Sequence, residues 1–518
     1  MEKVTIKTDP GLLKRLFWVV FISITFGCKD EKPQTGSEQA FNPIFLSVKE
    51  GRIATDGGLS RGVAWGDYDM DGDPDLYVAN SNGQWNSLYR NNGNGSFKKM
   101  TDDGGSNRVI SEVVMHGGRS EGVNWVDYDN DGDLDLYVVS RGDEANLLFR
   151  NFDNLGFTQI KDSPLSSEKI SASMACWADI EGDGDLDVLL VVYGGGPNRV
   201  YKNTGAGNFE EVTDNPLASG TGRGRACACG DSNGDGLPEF YIANAMTPNF
   251  YYQNLGEWRF EAVTGGHLVE DVGYSYGVSW ADYDGDGDLD LFLANYNKEN
   301  FLYTNDSHGV LSPLTKGEIA LEKAGASKGH SWGDYDNDGD LDLYIANGTY
   351  RPGMQNFLYI NRENKDFVRD LSEEISMHAD TSAGVAHADY DRDGDLDLFV
   401  ANWGSGDQVN RFYENQTTGQ NWISIRLTGT ISNRFGIGAK VTLHTSTDGT
   451  NRQFYRWVYP ITGYGSQNDY EIHFGLGSIR HIDSLQISWP SGKLDRYKDI
   501  RANRHFAAEE NGKLQVTK

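Results

Sequence analysis

The chain has 518 residues, with 46 Lys and Arg against 76 Asp and Glu for a formal charge of -30, 63 Gly, 13 Pro and only 4 Cys. Such acidity repels nucleic-acid phosphate, and no Lys/Arg cluster offsets it locally, so nucleic-acid binding is excluded; four Cys likewise exclude a disulfide scaffold. Length alone predicts about three domains, but high Gly beside high Asp with evenly placed aromatics points instead to many copies of one small unit.

Residues 1–28 read as an export address. Lys3, Lys7, Lys14 and Arg15 precede the apolar run Phe17 to Phe26, then Gly27 and Cys28. The run is about ten residues where a spanning helix needs about 20, so it reads as a secretory signal and not a retained anchor. A small residue directly before Cys28 resembles a bacterial lipobox, which implies lipidation of Cys28 and an outer-membrane lipoprotein. Residues 29–40, polar throughout, are expected to be a flexible tether. Their Lys29-Asp30-Glu31 start resembles a signal for exposure at the outer cell surface.

The next region repeats. GVAWGDYDMDGDPDLYVAN begins at Gly62 and returns as GVNWVDYDNDGDLDLYVVS at Gly122, then in altered form at Cys176 and Cys227, and again at Gly277, Gly329 and Gly384. The first acids fall at Asp67, Asp127, Asp179, Asp231, Asp282, Asp334 and Asp389, spaced by 60, 52, 52, 51, 52 and 55 residues. An Asn pair five apart travels with each copy: Asn86/Asn91, Asn146/Asn151, Asn198/Asn203, Asn249/Asn254, Asn300/Asn305, Asn356/Asn361 and Asn410/Asn415. Short apolar runs between Gly/Asn/Asp turns give three or four strands per copy. A period near 50 built only of strands predicts an all-β fold, a seven-bladed β-propeller over residues 41–418, with a β-solenoid as the alternative. The segment FNPIFLSVKEGRIATDGG ahead of the first copy resembles the stretch after an Asn pair, such as GSFKKMTDDGG from Gly95. The first strand is therefore expected to complete the last blade and remove an open edge.

The acidic loops carry the chemistry. Asp-x-Asp-x-Asp-Gly-x-x-Asp between two strands can converge several hard oxygen ligands, a set that selects Ca²⁺. The ligand positions are Asp67, Asp69, Asp71, Asp73 and Asp75; Asp127, Asp129, Asp131, Asp133 and Asp135; Asp179, Glu181, Asp183, Asp185 and Asp187; and, in the fourth copy, Asp231, Asn233, Asp235, Leu237 (through its carbonyl) and Glu239. They continue with Asp282, Asp284, Asp286, Asp288 and Asp290; Asp334, Asp336, Asp338, Asp340 and Asp342; and Asp389, Asp391, Asp393, Asp395 and Asp397. About seven structural Ca²⁺ are expected. Without the 33 acids at these positions the formal charge of -30 becomes +3, so the acidity sits in the loops.

These copies resemble FG-GAP/VCBS repeats, the calcium-loop blades of the integrin alpha-chain propeller. Residues 419–518 change character: NRFGIGAKV from Asn433, GYGSQNDYEIHFGLG from Gly463 and SLQISWPSGK from Ser484 resemble the ASPIC/UnbV domain that follows such propellers in the cartilage acidic protein-like family. The resemblance implies a small β domain and a setting, but no common activity.

Catalytic signals are absent. Gly-x-Ser-x-Gly occurs at Ser60, Ser120, Ser275 and Ser327, but always seven residues before the first acid of a loop, which marks scaffold. No His pair is spaced for zinc. Cys176, Cys227 and Cys229 are expected to be buried free thiols. The loops opposite the acidic ones vary, and they carry Trp85, Arg141, Tyr193, Tyr296, Tyr350, Arg351 and Trp403 as candidate ligand-binding residues. The leading reading is a binding or adhesion module for an extracellular polysaccharide or an envelope protein. The alternatives are a polysaccharide-degrading, lyase-like enzyme, which requires a Lys/Arg/Tyr/His cluster in the central channel, and a structural component of the envelope.

Overall fold

Each repeat alternates β-branched and aromatic runs with turn residues, and each forms an antiparallel sheet. In the first, strands Ser60–Gly66, Asp75–Asn80, Ser87–Asn91 and Phe97–Lys99 pair in chain order. The computed structural model describes residues 45–101, 112–153, 156–270, 272–306, 309–321, 325–348, 353–364, 366–371, 374–404, 408–447 and 450–517. The leader with Cys28, the tether, Tyr350 and Arg351 lie outside them. Among the described residues no helix is long and apolar enough to cross a membrane.

Among the described residues the four-stranded repeat sheet occurs seven times, with innermost strands Ser60–Gly66, Ser120–Val126, Ala172–Ala178, Gly224–Gly230, Ser275–Ala281, Ser327–Gly333 and Ser382–Ala388. Each packs beside the next and the last packs beside the first, so the sheets, numbered one to seven in chain order, ring a central channel. The sixth residue of each inner strand wedges between neighbouring sheets. Trp125 Nε1 donates to the Ala64 carbonyl at 3.2 Å and Trp65 Nε1 to that of Ala386 at 3.3 Å. Cys229 and His387 stand at this position in sheets four and seven. Sheet seven takes its outer strand, Phe45–Ser47, from the start of the chain, with Phe45 opposite Asn415 and Ser47 opposite Tyr413. Four-residue helices such as Pro164–Ser167 and Pro216–Ser219 link sheets, capped by Ser163 and Asn215 with Pro in the first turn; they are too short to show a helical period in the sequence.

The Asn pairs are the ring's fasteners. The first Asn accepts the backbone N–H at the end of the second strand, as Asn86 does from Asn80 at 2.8 Å. The second bolts sheet to sheet: Asn151 Nδ2 donates to the Tyr68 carbonyl of the preceding sheet at 2.8 Å, and Asn91 closes the circle on the Tyr390 carbonyl at 2.8 Å. Asn151→Ala leaves two buried carbonyls, Tyr68 and Leu134, without this donor. It should therefore cost about 2 to 3 kcal/mol in chemical denaturation, and a loss below about 0.5 kcal/mol would remove the fastener role.

Residues 421–516 form two further four-stranded sheets, one with Asn421–Thr428 beside Ile472–Gly477 and Arg504–Glu509, the other with Lys440–Thr447 beside Thr450–Trp457 and His481–Ser488. These are not a detached appendage. They share one compact unit with the ring, and one apolar core runs from Trp125 and Tyr128 into Ile423, Tyr470 and Phe474. The hairpin of Ile461–Thr462 and Ser466–Gln467 enters the channel, where Gln467 pairs with Ala64 of the first inner strand. Its tip bonds to inner strands across the ring: the Val123 N–H donates to Gly465 O at 3.1 Å, that of Val278 to Gly463 O at 3.3 Å, and Thr462 Oγ1 to His330 O at 2.6 Å. Glycine at the third inner-strand position permits this approach; a Cβ at Gly62 would run into the Gly465 carbonyl.

One expectation is overturned. Cys176 and Cys227 form a disulfide, with Cα atoms 6.2 Å apart, while Cys229 is a free buried thiol, as expected. The ring sets the inner strands of sheets three and four side by side, which brings together two cysteines 51 residues apart in sequence.

Candidate functional site

The acidic loops join the first and second strands of each sheet and are built alike. The first Asp accepts the N–H of the loop's sixth residue, Gly: Asp67 from Gly72 at 3.0 Å, Asp282 from Gly287 at 3.0 Å, Asp389 from Gly394 at 3.1 Å. The ninth residue is buried and braced twice, as in Asp135, which accepts from Tyr128 N at 3.3 Å and Asn151 N at 2.7 Å. The ninth acid therefore also ties the loop to the Asn-bearing strand, a role its spacing did not reveal.

Five loops bring three carboxylates within 4.8 Å of one another: Asp67/Asp69/Asp71, Asp127/Asp129/Asp135, Asp282/Asp284/Asp290, Asp334/Asp336/Asp338 and Asp389/Asp391/Asp397. The Oδ1 atoms of Asp67, Asp69, Asp129, Asp284 and Asp334 are buried with no hydrogen-bond partner. Buried, unpartnered and mutually repelling oxygens fit a bound divalent cation. The pKa values show the same strain: burial above all, with the neighbouring carboxylates adding, pushes Asp127 up to about 7 and Asp69 up to about 6. In loops one to three a cation from the third strand already leans in. Arg90 lies 2.6 Å from Asp69, Arg150 lies 2.8 Å from Asp129, and Lys202 holds Glu181. The same register carries Gln253, Thr304, Ile360 and Glu414 in sheets four to seven. In loop four the Asn233 amide donates to Glu239 at 3.1 Å, turning that acid inward.

The C-terminal sheets lie against this face of the ring. Arg426 pairs with Asp67 at 2.7 Å, the Gly475 N–H donates to Asp334 at 2.8 Å, and Tyr459 accepts from the Asp231 N–H at 3.0 Å.

At the other end of the channel the candidate rim gathers. Trp85 stands 58% exposed. Arg141, Tyr193, Tyr296 and Trp403 turn inward onto a cluster that the sequence reading missed. The second residue of each inner strand occupies one register position: Arg61, Glu121, Ser173, Arg225, Tyr276, Lys328 and Ala383. In all seven strands the pairing register slips there, and such irregularities re-aim a side chain. Buried Glu121 accepts from Arg61 and Arg141, each at 3.2 Å. Arg141 and Arg225 lie 3.7 and 4.4 Å over the Tyr193 ring, Arg61 lies 4.1 Å over Trp403, and Lys328 lies 3.9 Å over Tyr464 at the hairpin tip. The signal was present in the Gly-x-Ser-x-Gly copies: the serines serve the sheet, with Ser60, Ser275 and Ser327 bonded to Asn80, Asn295 and Asn347 at 2.8, 2.9 and 2.9 Å, while the residue after each serine enters the channel.

Comparison with known proteins gives the family. The FG-GAP-like repeat family matches residues 67–138, 127–190, 179–242, 231–293, 282–345 and 334–400, and ASPIC and UnbV matches 429–515. Cartilage acidic protein 1 of Mus musculus is 26% identical over 93% of this chain and 78% of its own length, and that of Homo sapiens 25% over 94% and 77%. The BP39L lectin from Burkholderia pseudomallei shares the fold, with a TM-score of 0.50 at 14% identity over 70% of this chain and 98% of that one. The chain belongs to the FG-GAP-like repeat family of β-propellers, with an ASPIC and UnbV domain after its repeats.

Proposed function

We propose that the protein is an exported, lipid-anchored binding module: a seven-bladed propeller stabilised by Ca²⁺ in its acidic loops, which takes an extracellular polysaccharide or protein on the opposite face. The observation that carries this reading is the division of the two faces. The C-terminal sheets cover the acidic loops and their hairpin occupies the channel from that side, so the variable loops around Trp85 and the channel mouth remain for a ligand. The Cys176–Cys227 disulfide supports residence outside the cytoplasm. Loops three and four would complete their ion shells with Asn233, backbone carbonyls and water.

The test is binding of the calcium-loaded protein to a panel of polysaccharides and envelope proteins. Trp85→Ala should weaken the responsive ligand at least tenfold while leaving the melting temperature within a degree or two. A ligand whose affinity ignores Trp85 and every other rim substitution would remove the face assignment. A second reading, a polysaccharide-degrading enzyme, is favoured by the Lys/Arg/Tyr cluster in the channel, and product analysis on the bound glycan separates the two.

A further inference from the structure

The channel end of the open face holds more positive charge than its carboxylate can answer. Arg61, Arg141, Arg225 and Lys328 come from sheets one, two, four and six, and among the described residues the ion pairs of this cluster end on Glu121. Lys328 is 1% exposed and its Nζ has no hydrogen-bond partner. The Nε and Nη1 atoms of buried Arg225, Nε of buried Arg61 and the hydroxyl of buried Tyr464 are unpartnered as well. A cation removed from water without a partner is strongly disfavoured, and resting it on an aromatic face recovers only part of the loss. This occurs in a protein whose formal charge is -30, so the grouping is a local inversion of the overall field and not spill-over from a basic surface.

We propose that Lys328, Arg225, Arg61 and Arg141 form a binding site for the anionic group of a small ligand or chain end, a carboxylate, sulfate or phosphate. The proposal rests on the ligand-binding reading of this face and names the chemistry recognised there. Two features separate such a site from a packed ion network. The donors without partners come from sheets one, four and six and from the hairpin, so they are spread around the channel and are not confined to the neighbours of Glu121. The hairpin also sets Tyr464 against Lys328 on the far side, and Arg61, Arg225 and Lys328 are all buried, so an anion that reached them would be desolvated and strongly held. Arg guanidinium groups supply paired donors to an oxyanion and Lys328 a point charge at its base. Burial first, then the nearby cations, holds the Lys328 ammonium well below its ordinary value against the pull of Glu121. Arg141 is the most exposed of the four cations and stands at the mouth.

The experiment uses the calcium-loaded full-length chain and monitors melting and calorimetric titration with glucuronate, inorganic sulfate and inorganic phosphate. Glucose and sodium chloride at matched ionic strength are the controls. At least one anion should raise the melting temperature by several degrees while glucose does not, and the three arms distinguish a sugar carboxylate from a free inorganic anion. Lys328→Met and Arg225→Gln should each cut affinity for that anion at least tenfold. Lys328→Met should also melt at the same temperature as the parent or higher without anion, because it removes an unanswered charge; a melt well below the parent would mark Lys328 as a structural partner of Glu121 and overturn the proposal. Should Lys328→Met fail to fold, Arg225→Gln decides. No response to any anion beyond that to chloride, or a response that survives both substitutions, also overturns it. Glycan binding that depends on Trp85 but ignores all three anions would sink this site and leave the broader function standing.

Discussion

In excess EGTA the protein should lose about 4 to 13 kcal/mol of stability, enough to unfold it at room temperature or bring its melt down by tens of degrees. The figure comes from affinities of about 10⁻⁴ to 10⁻³ M for extracellular modules at about 2 mM Ca²⁺, which give about 0.6 to 1.8 kcal/mol for each of seven ions. It matches the whole stability of an ordinary domain. The loops with a resident cation at Arg90, Arg150 or Lys202 should release their ions first, since a fixed positive charge competes for the same oxygens. The pH dependence gives a sharper signature. Asp69, Asp127 and Asp179 are raised to about 6, 7 and 6 in the folded protein without metal, against about 4 in an unfolded chain. A raised carboxyl pKa favours the native state only while the proton is bound, so this contribution is complete below about pH 4 and fades as pH climbs through 6 to 7. The chelated protein should therefore melt higher at pH 5 than at pH 8. The calcium-loaded protein should do the reverse, because protons displace the ions. Calorimetry at both pH values, with and without EGTA, checks this; equal pH slopes in the two states, or no drop on chelation, would leave the loops without a metal.

Ending the chain after residue 418 should do as much damage as chelation. The C-terminal sheets supply Ile423, Tyr470 and Phe474 to a core shared with sheets one to three, along with the Arg426 partner of Asp67 and the hairpin that bonds inner strands across the ring. Without them Trp125 and its neighbours face water, and the backbone donors of Val63, Val123 and Val278 lose their acceptors. The expected result is an insoluble or non-cooperative product in far-UV dichroism and urea titration. A soluble truncated ring with a single sharp transition near that of the full chain would show that the sheets are accessory.

Much of this was legible because the repeat multiplies every local signal by seven. One Asn-x₄-Asn is noise; seven in register predict strands at fixed places, and the structure adds only that the second Asn bolts neighbouring sheets. The outer strand from Phe45–Ser47 was readable for the same reason, as a missing piece of a known unit. What stayed hidden was whatever joins different copies. The disulfide links Cys176 to Cys227, which become neighbours only when sheets three and four lie together. The channel cluster comes from Arg61, Glu121, Arg225 and Lys328, each an ordinary residue after a turn until the ring faces them toward one axis. The seating of the C-terminal sheets depends on a surface, and linear patterning does not describe surfaces.

The borrowed outer strand of sheet seven has a consequence for when the molecule can finish folding. Phe45–Ser47 leaves the ribosome long before its partner Arg411–Asn415. Six sheets can form from local contacts, but the joint spans nearly the whole ring and carries a far larger loop-closure entropy than any strand pairing within one repeat. Closure is thus a late, all-or-none event: until residue 415 has been delivered, sheet seven keeps a bare edge, and the nascent protein is an open arc whose two ends compete for strands from other chains.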